Sequence, residues 1–248
     1  MKRFVGKAIS NFQMIGDGDR ILVAVSGGQD SLTLLWLLRD RLTRIPINYD
    51  IKAVHVELGF GQHTGKSMED FFNVNGFDYC IIKSRFGERA HAKENKENPC
   101  FLCSRLRRKA IFEKAAELKC NKIALGHQKD DFIETFFLNL FFAGSIDTIQ
   151  PLQELFNGKL SIIRPLYLLN KSIIKRYADE MGFPEIDSGC PTARSSKRVQ
   201  IRSLLSNLYQ TNKKIKGNIF NALMKHLPLT VDRYSYALPD IHRKTVNG

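Results

Sequence analysis

The stretch Ile21-Leu22-Val23-Ala24-Val25-Ser26-Gly27-Gly28-Gln29-Asp30-Ser31 decides how this chain is read. Five apolar residues in succession suit a strand buried on both faces, and the residues from Ser31 onward repeat apolar side chains at helical spacing. The turn between them is built for an anion. Its glycines let backbone amides come close, and the first helical turn offers unpaired N–H groups at the positive end of the helix dipole. Ser26 and Ser31 add hydroxyl donors. Asp30 would repel a phosphate unless a cation stood between them, so it implies Mg²⁺ or a hydrogen-bonding role within the loop. A plain tight turn capped by Asp30 and Ser31 is the competing reading. The complete hexad, placed directly after a first strand, favours a nucleotide phosphate. Neither GxxxxGK[ST] nor GxGxxG occurs in the chain, so the two commonest phosphate-loop signatures are excluded.

Outward from this loop, short apolar runs alternate with longer helical patterns. The runs are 21–25, 51–56, 78–83, 122–125 and 160–166, and helical spacing marks 31–42, 110–119 and 130–142. Strands separated by helices predict right-handed βαβ units, hence an α/β fold. The expected architecture is a five-stranded parallel sheet with helices on both faces, binding its ligand at the carboxyl ends of the strands. After Pro191 only helical patterns remain, at 197–209 and 213–227, and the tail beyond Pro228 has mixed signals with partial disorder expected. The chain therefore divides into 1–190, carrying the phosphate loop, and a C-terminal helical extension at 191–248.

The 38 Lys and Arg residues against 25 Asp and Glu give a net charge of +13, an excess that suits a polyanionic partner, most simply nucleic acid. No carboxylate occurs between Asp187 and Asp232, while Arg194, Lys197, Arg198, Arg202, Lys213, Lys214, Lys216 and Lys225 do. That stretch reads as a phosphate-facing surface or a solvated basic face. No apolar run approaches the roughly 20 residues of a membrane span, and the basic N-terminus lacks a secretory signal pattern. The expected location is cytoplasmic. Five cysteines in that setting argue against a disulfide framework. Cys80 and Cys120 flank apolar runs and read as core residues.

A second cluster follows the run at 122–125. Gly126-His127-Gln128-Lys129-Asp130-Asp131-Phe132-Ile133-Glu134 turns from strand to helix. Carboxylates in a first helical turn are favoured by the dipole alone. They would also lie beside the first loop, where a metal-bound triphosphate fits. His55, at the end of the second strand, either lines the nucleotide pocket or is a satisfied core histidine. Between the third and fourth strands stands Pro99-Cys100-Phe101-Leu102-Cys103-Ser104-Arg105-Leu106-Arg107-Arg108. A CxxC spacing brings two thiolates within reach of one metal centre, and a redox pair is its rival. Cys190 is a candidate third ligand or a core cysteine.

The SGGxDS loop resembles that of the PP-loop ATP pyrophosphatase superfamily, and GHQKDDFIET resembles the GHxxDDxxET motif of its tRNA-modifying branch. Together with PCFLCSRLRR and Cys190, nearly the whole chain is similar to the tRNA 2-thiocytidine synthetase family. That resemblance implies ATP cleaved between its α- and β-phosphates, with Mg²⁺, and AMP transferred to a pyrimidine oxygen that sulfur then replaces. It implies ATP contacts at Ser26, Gly27, Gly28, Asp30, Ser31, His55, Gly126 and His127, with Asp130, Asp131 and Arg107 catalytic. It further implies a [4Fe-4S] cluster on Cys100, Cys103 and Cys190, whose open iron holds a sulfide. The partners implied are tRNA and a sulfur donor such as a cysteine desulfurase or free sulfide, and a homodimer is compatible with the pattern. The chain departs from the family where Cys190 is followed by PTARSSKR rather than a second CxxC-like segment and Gly-Ser-Gln. Two other readings stay open: a cluster-free ligase of the lysidine synthetase type, and a zinc-binding nucleotide sensor.

Overall fold

The computed structural model describes residues 1–60, 64–193 and 195–226. The expectations for the tail beyond Pro228 and for Arg194 lie outside the described residues. The elements run α1 (Lys2–Asn11), β1 (Asp19–Ala24), α2 (Gln29–Leu42), β2 (Tyr49–Val56), α3 (Thr64–Val74), β3 (Tyr79–Ile82), α4 (Phe86–His91) and α5 (Pro99–Glu117). They continue with β4 (Lys122–Leu125), α6 (Lys129–Phe142), β5 (Leu152–Leu155), β6 (Leu160–Ile163), α7 (Lys171–Glu180), α8 (Lys197–Thr211) and α9 (Ile215–His226).

One sheet has the order β3-β2-β1-β4-β6-β5. The five expected strands are present and pair in parallel. The sixth, β5, corrects the strand count: it adds to the β6 edge in antiparallel register. Its hairpin turns through Phe156, Asn157 and Gly158, all at positive φ, the conformation an Asn-Gly turn favours.

Alternation along β1 splits the core. Ile21 and Val23 face a large cluster that takes in α1, α2, α3, α6 and α7, and also Ile201, Leu205, Phe220 and Leu223 of α8 and α9. Leu22 faces a smaller cluster with Val54, Ile123, Ile111 and Ala115, so α5 covers the opposite face. Cys80 and Cys120 pack against that smaller cluster. The chain moves outward from β1 in one direction to β2 and β3, and in the other to β4 and β6. The reversal between β1 and β4 opens a crevice at their carboxyl ends, where α/β sheets bind ligands. Among the described residues no helix is long and apolar enough to cross a membrane.

Candidate active site

The phosphate loop is stitched by Ser31. Its Oγ donates to the carbonyl of Gly28 at 2.8 Å and accepts from the backbone N–H of Ser26 at 3.1 Å. Gly28 caps α2 with no side-chain hydrogen bond to the first turn, and the Ser31 N–H turns back to the Gly28 carbonyl at 3.1 Å. Gly27 sits at φ +92°, and a Cβ there would meet Ile186 Cβ at 3.2 Å. Only glycine fits that conformation and that approach. Gly126 is packed as closely: a Cβ on it would stand 3.0 Å from Ser31 N. The end of β4 is thus pressed against the start of α2.

The carboxylates gather beside this loop. Asp131 closes a capping box, accepting from the N–H of Gln128 at 3.0 Å, and lies 3.6 Å from Arg198 Nη1. Asp130 accepts from the N–H of Lys171 at 3.0 Å and pairs with Lys216. Asp30 is pushed up to about 6, first by burial and then by Asp131. Burial also raises Asp131, against the pull of the Gln128 N–H and Arg198. Negative charge is therefore crowded here, as a bound cation would relieve. Among the described residues no three His, Cys, Asp or Glu side chains surround a point that could hold a metal ion. Any Mg²⁺ would need oxygen ligands from a nucleotide as well.

Glu134, on the next turn of α6, is buried and binds Arg202 Nε at 2.8 Å and Arg198 Nη1 at 3.3 Å. The acid-free stretch is thus neutralised by α6 rather than left wholly for phosphates. Arg198 lines the crevice, while Lys213, Lys214 and Lys225 are exposed.

His55 Nδ1 donates to the carbonyl of Val25 at 2.8 Å. The ring is buried, and its pKa is lowered chiefly by that burial. It lines the crevice while also serving the β1–β2 contact. His127 accepts from Arg164 Nε at 3.1 Å and is held well below the usual histidine range, first by burial and then by Arg164.

The cysteines meet at a threonine absent from the sequence reading. Pro99 opens α5 and Asn98 caps it, accepting from the N–H groups of Cys100 and Phe101. The CxxC pair therefore lies at the start of the helix, Cys100 on its first turn and Cys103 opening the second. After α7 the chain crosses the phosphate loop, the N–H of Ile186 donating to Gly27 O at 3.2 Å, and carries Cys190 to α5. Thr192 Oγ1 then stands 3.4 Å from Cys100 Sγ, 3.5 Å from Cys190 Sγ and 3.1 Å from His91 Nε2. Cys103 feels both other thiols, and burial raises its pKa against Arg107, one turn further along α5. Two sulfurs flank the Thr192 hydroxyl and the third, Cys103, lies near both. Three neighbouring thiols that do not converge on one point among the described residues fit a multi-iron cluster better than a single ion. Thr192 had a signal only in its place two residues after Cys190.

The crevice joins these parts. Its roughly 1860 Å³ is lined by Ser26, Gly28, Asp30, Ser31, His55, Cys100, Arg107, His127, Asp131 and Arg164 among others. That exceeds the ~300–1,000 Å³ of an ordinary small-molecule pocket, leaving room for more than a nucleotide. Phe101, 61% exposed, stands on its wall with Arg105 5.5 Å over the ring.

This sheet order and loop define a protein of the PP-loop class, and a family model described as a PP-loop domain matches residues 2–208. The chain is 37% identical to the tRNA-cytidine(32) 2-sulfurtransferase of Syntrophotalea carbinolica over 229 residues, 90% of this chain and 87% of that one. It is 34% identical to the tRNA-cytidine(32) 2-sulfurtransferase of Citrifermentans bemidjiense, covering 90% and 89% of the two chains. The chain belongs to the family of these enzymes. Its fold is similar to that of the U34-tRNA thiolase NcsA from Methanococcus maripaludis, solved with its [4Fe-4S] cluster, at a TM-score of 0.75 and 24% identity, over 92% of this chain and 78% of that one.

Proposed function

We propose that this protein is an ATP-dependent tRNA sulfurtransferase that replaces the C2 oxygen of a cytidine with sulfur. The observation that carries the reading is one crevice lined by Ser26, Gly28, Asp30, Ser31, Asp131 and Cys100, with Cys190 held beside Cys100 by Thr192 and Cys103 one helical turn from Cys100.

Oxide is not a leaving group at neutral pH, so the oxygen must first be activated. The pyrimidine oxygen attacks the α-phosphorus of ATP, a P–O bond forms, and pyrophosphate departs. The N-terminal end of α2 and the turn leading into it, which Ser26 and Ser31 brace, hold the departing phosphates. Asp30, with Asp130 or Asp131, would hold Mg²⁺, which offsets charge on the phosphates. Arg107, His127 and the close-packed Gly126 complete the nucleotide's surroundings, and His55 lines them. Sulfide then forms a bond to C2 as the C–O bond breaks, and AMP leaves with the former base oxygen. Cys100, Cys103 and Cys190 would hold a [4Fe-4S] cluster, which when bound supplies an iron site able to carry that sulfide. Thr192, held by His91, fixes Cys100 and Cys190 beside each other.

The substrate base must leave the stack to reach this depth, which favours a loop nucleotide. Phe101 with Arg105 offers it a stacking surface. Residues 1–190 carry the chemistry, and 191–248 act as a basic extension whose exposed Lys213, Lys214 and Lys225 grip RNA phosphates. A cysteine desulfurase or free sulfide supplies the sulfur in the cytoplasm. The exposed Leu140, Phe141, Phe142 and Ile146 support a homodimer contact.

The test is anaerobic purification followed by incubation with ATP, Mg²⁺, sulfide and tRNA. A brown protein that releases AMP and pyrophosphate in step with tRNA thiolation supports the reading. A colourless protein that consumes ATP and leaves tRNA unthiolated overturns it.

A further inference from the structure

Arg164 directly follows β6, two strands from the phosphate loop, and lines the crevice while only 5% exposed. Its guanidinium is already engaged. Nε–H donates to His127 Nδ1 at 3.1 Å, and Nη1 donates to the carbonyl of Gln150. A guanidinium has donors and no acceptor. His127 Nδ1 must therefore accept, carries no proton, and leaves the single ring proton on Nε2.

The geometry points to Arg164 as a positioning residue: it holds His127 as the neutral Nε2–H tautomer, so that His127 donates a hydrogen bond to a phosphoryl oxygen of the bound nucleotide. This role rests on the ATP-dependent reaction proposed above. His127 lines the crevice and follows Gly126, which is packed against the N-terminal turn of α2. The ring is therefore carried by the backbone that borders the phosphate loop. The charged groups facing it are Arg164 beyond β6, Arg198 of α8, and Arg107 and Arg108 of α5. All four are cations, and with burial they disfavour the imidazolium. A ring that stays neutral keeps one acceptor for Arg164 and one donor for the ligand, and its orientation is set by the bond on the far nitrogen. A neutral imidazole used as a donor stabilises developing charge without a proton that titrates near neutrality.

The alternative is that Arg164 binds an anion itself and His127 only packs against it. Long-range ¹⁵N–¹H spectra of histidine-labelled protein separate the two, with His127 assigned by its loss in His127→Gln. The expected wild-type pattern is Nε2–H, unchanged from pH 8 to pH 5.5. Arg164→Met should give mixed tautomers and a ring that titrates nearer 6.5. In the thiolation assay Arg164→Met should lower kcat about 100-fold, weaken ATP binding by no more than about 10-fold, the worth of one hydrogen bond, and add an acid limb to the pH profile. Arg164→Lys, which keeps a donor, should recover part of the rate. A wild-type Nδ1–H tautomer overturns the proposal whether or not the variants fold. So does an Arg164→Met protein that loses ATP affinity and kcat together on an unchanged profile. Wild-type protein that does not thiolate tRNA overturns the reaction, while the tautomer is still read from the spectra.

Discussion

The N–H of Ile186 donates to the carbonyl of Gly27 at 3.2 Å, and this bond ties the segment that carries Cys190 to the Ser26–Ser31 loop. The proposed phosphate site and the proposed cysteine site are thus joined through one glycine. Gly27→Ala forces a side chain into a left-handed conformation against Ile186, which should cost about 1–3 kcal/mol. Gly28→Ala meets nothing closer than Ser26 Oγ at 3.6 Å and should leave stability nearly unchanged while weakening ATP binding. Denaturant titration beside ATP calorimetry checks both. Equal stability of the two variants would contradict the account.

Glu134 clamps α8 onto α6 through Arg198 and Arg202. Glu134→Gln leaves Arg202 without its carboxylate and Arg198 with Asp131 alone, and because both arginines are partly exposed the loss should be about 2 kcal/mol, below the figure for a fully buried pair. Chemical unfolding measures it, and a double-mutant cycle with Arg202→Met should show coupling between the two sites.

Asp30 supplies a pH test. Its folded pKa of about 6 lies above the ordinary aspartate value of 3.8, so the folded state binds more protons between those values and its stability falls as pH rises through that window. Asp30→Asn removes this penalty. The nucleotide-free variant should melt above wild type at pH 7, and the gain should vanish as pH falls toward 4. A gain that stays constant with pH would show that burial of the charge is not its source.

Phe101→Ala should weaken tRNA binding by about 1–3 kcal/mol, the usual worth of one stacked base, without altering ATP affinity. If Phe101 instead shields the cysteines, the variant will lose the iron–sulfur absorbance and keep its RNA affinity.

Lys213→Glu with Lys214→Glu should lower tRNA affinity and make its salt dependence shallower, since each lost phosphate contact removes a share of counterion release. Filter binding at two salt concentrations reads the slope.

Much of the fold was legible because Ile21–Val25 is an unbroken apolar run and the shorter runs after it alternate with helical spacing at 31–42, 110–119 and 130–142; helices α1, α3, α4 and α7 were not marked. Strand β5 was not: Leu152-Gln153-Glu154-Leu155 is short and polar at its centre, although Asn157-Gly158 between it and β6 is a hairpin signal. The loop at 26–31 and the aspartates were readable because phosphate chemistry demands those residue types at the ends of adjacent strands. Arg198, Arg202 and Lys216 read as one basic surface, since the carboxylates facing them lie on α6, more than 60 residues earlier in the chain. Thr192 and Arg164 act through contacts across the fold, Arg164 bonding His127 37 residues away, and such pairings leave no local pattern.

Nucleoside mass spectrometry of tRNA from a strain lacking this protein, complemented with wild type or with Cys190→Ser, tests the joined crevice most directly. The account predicts that a thiolated cytidine disappears with the protein, returns with wild type and stays absent with Cys190→Ser although that variant still binds ATP. Unchanged thiolated cytidine in the deletion strain, or full recovery with Cys190→Ser, would contradict it.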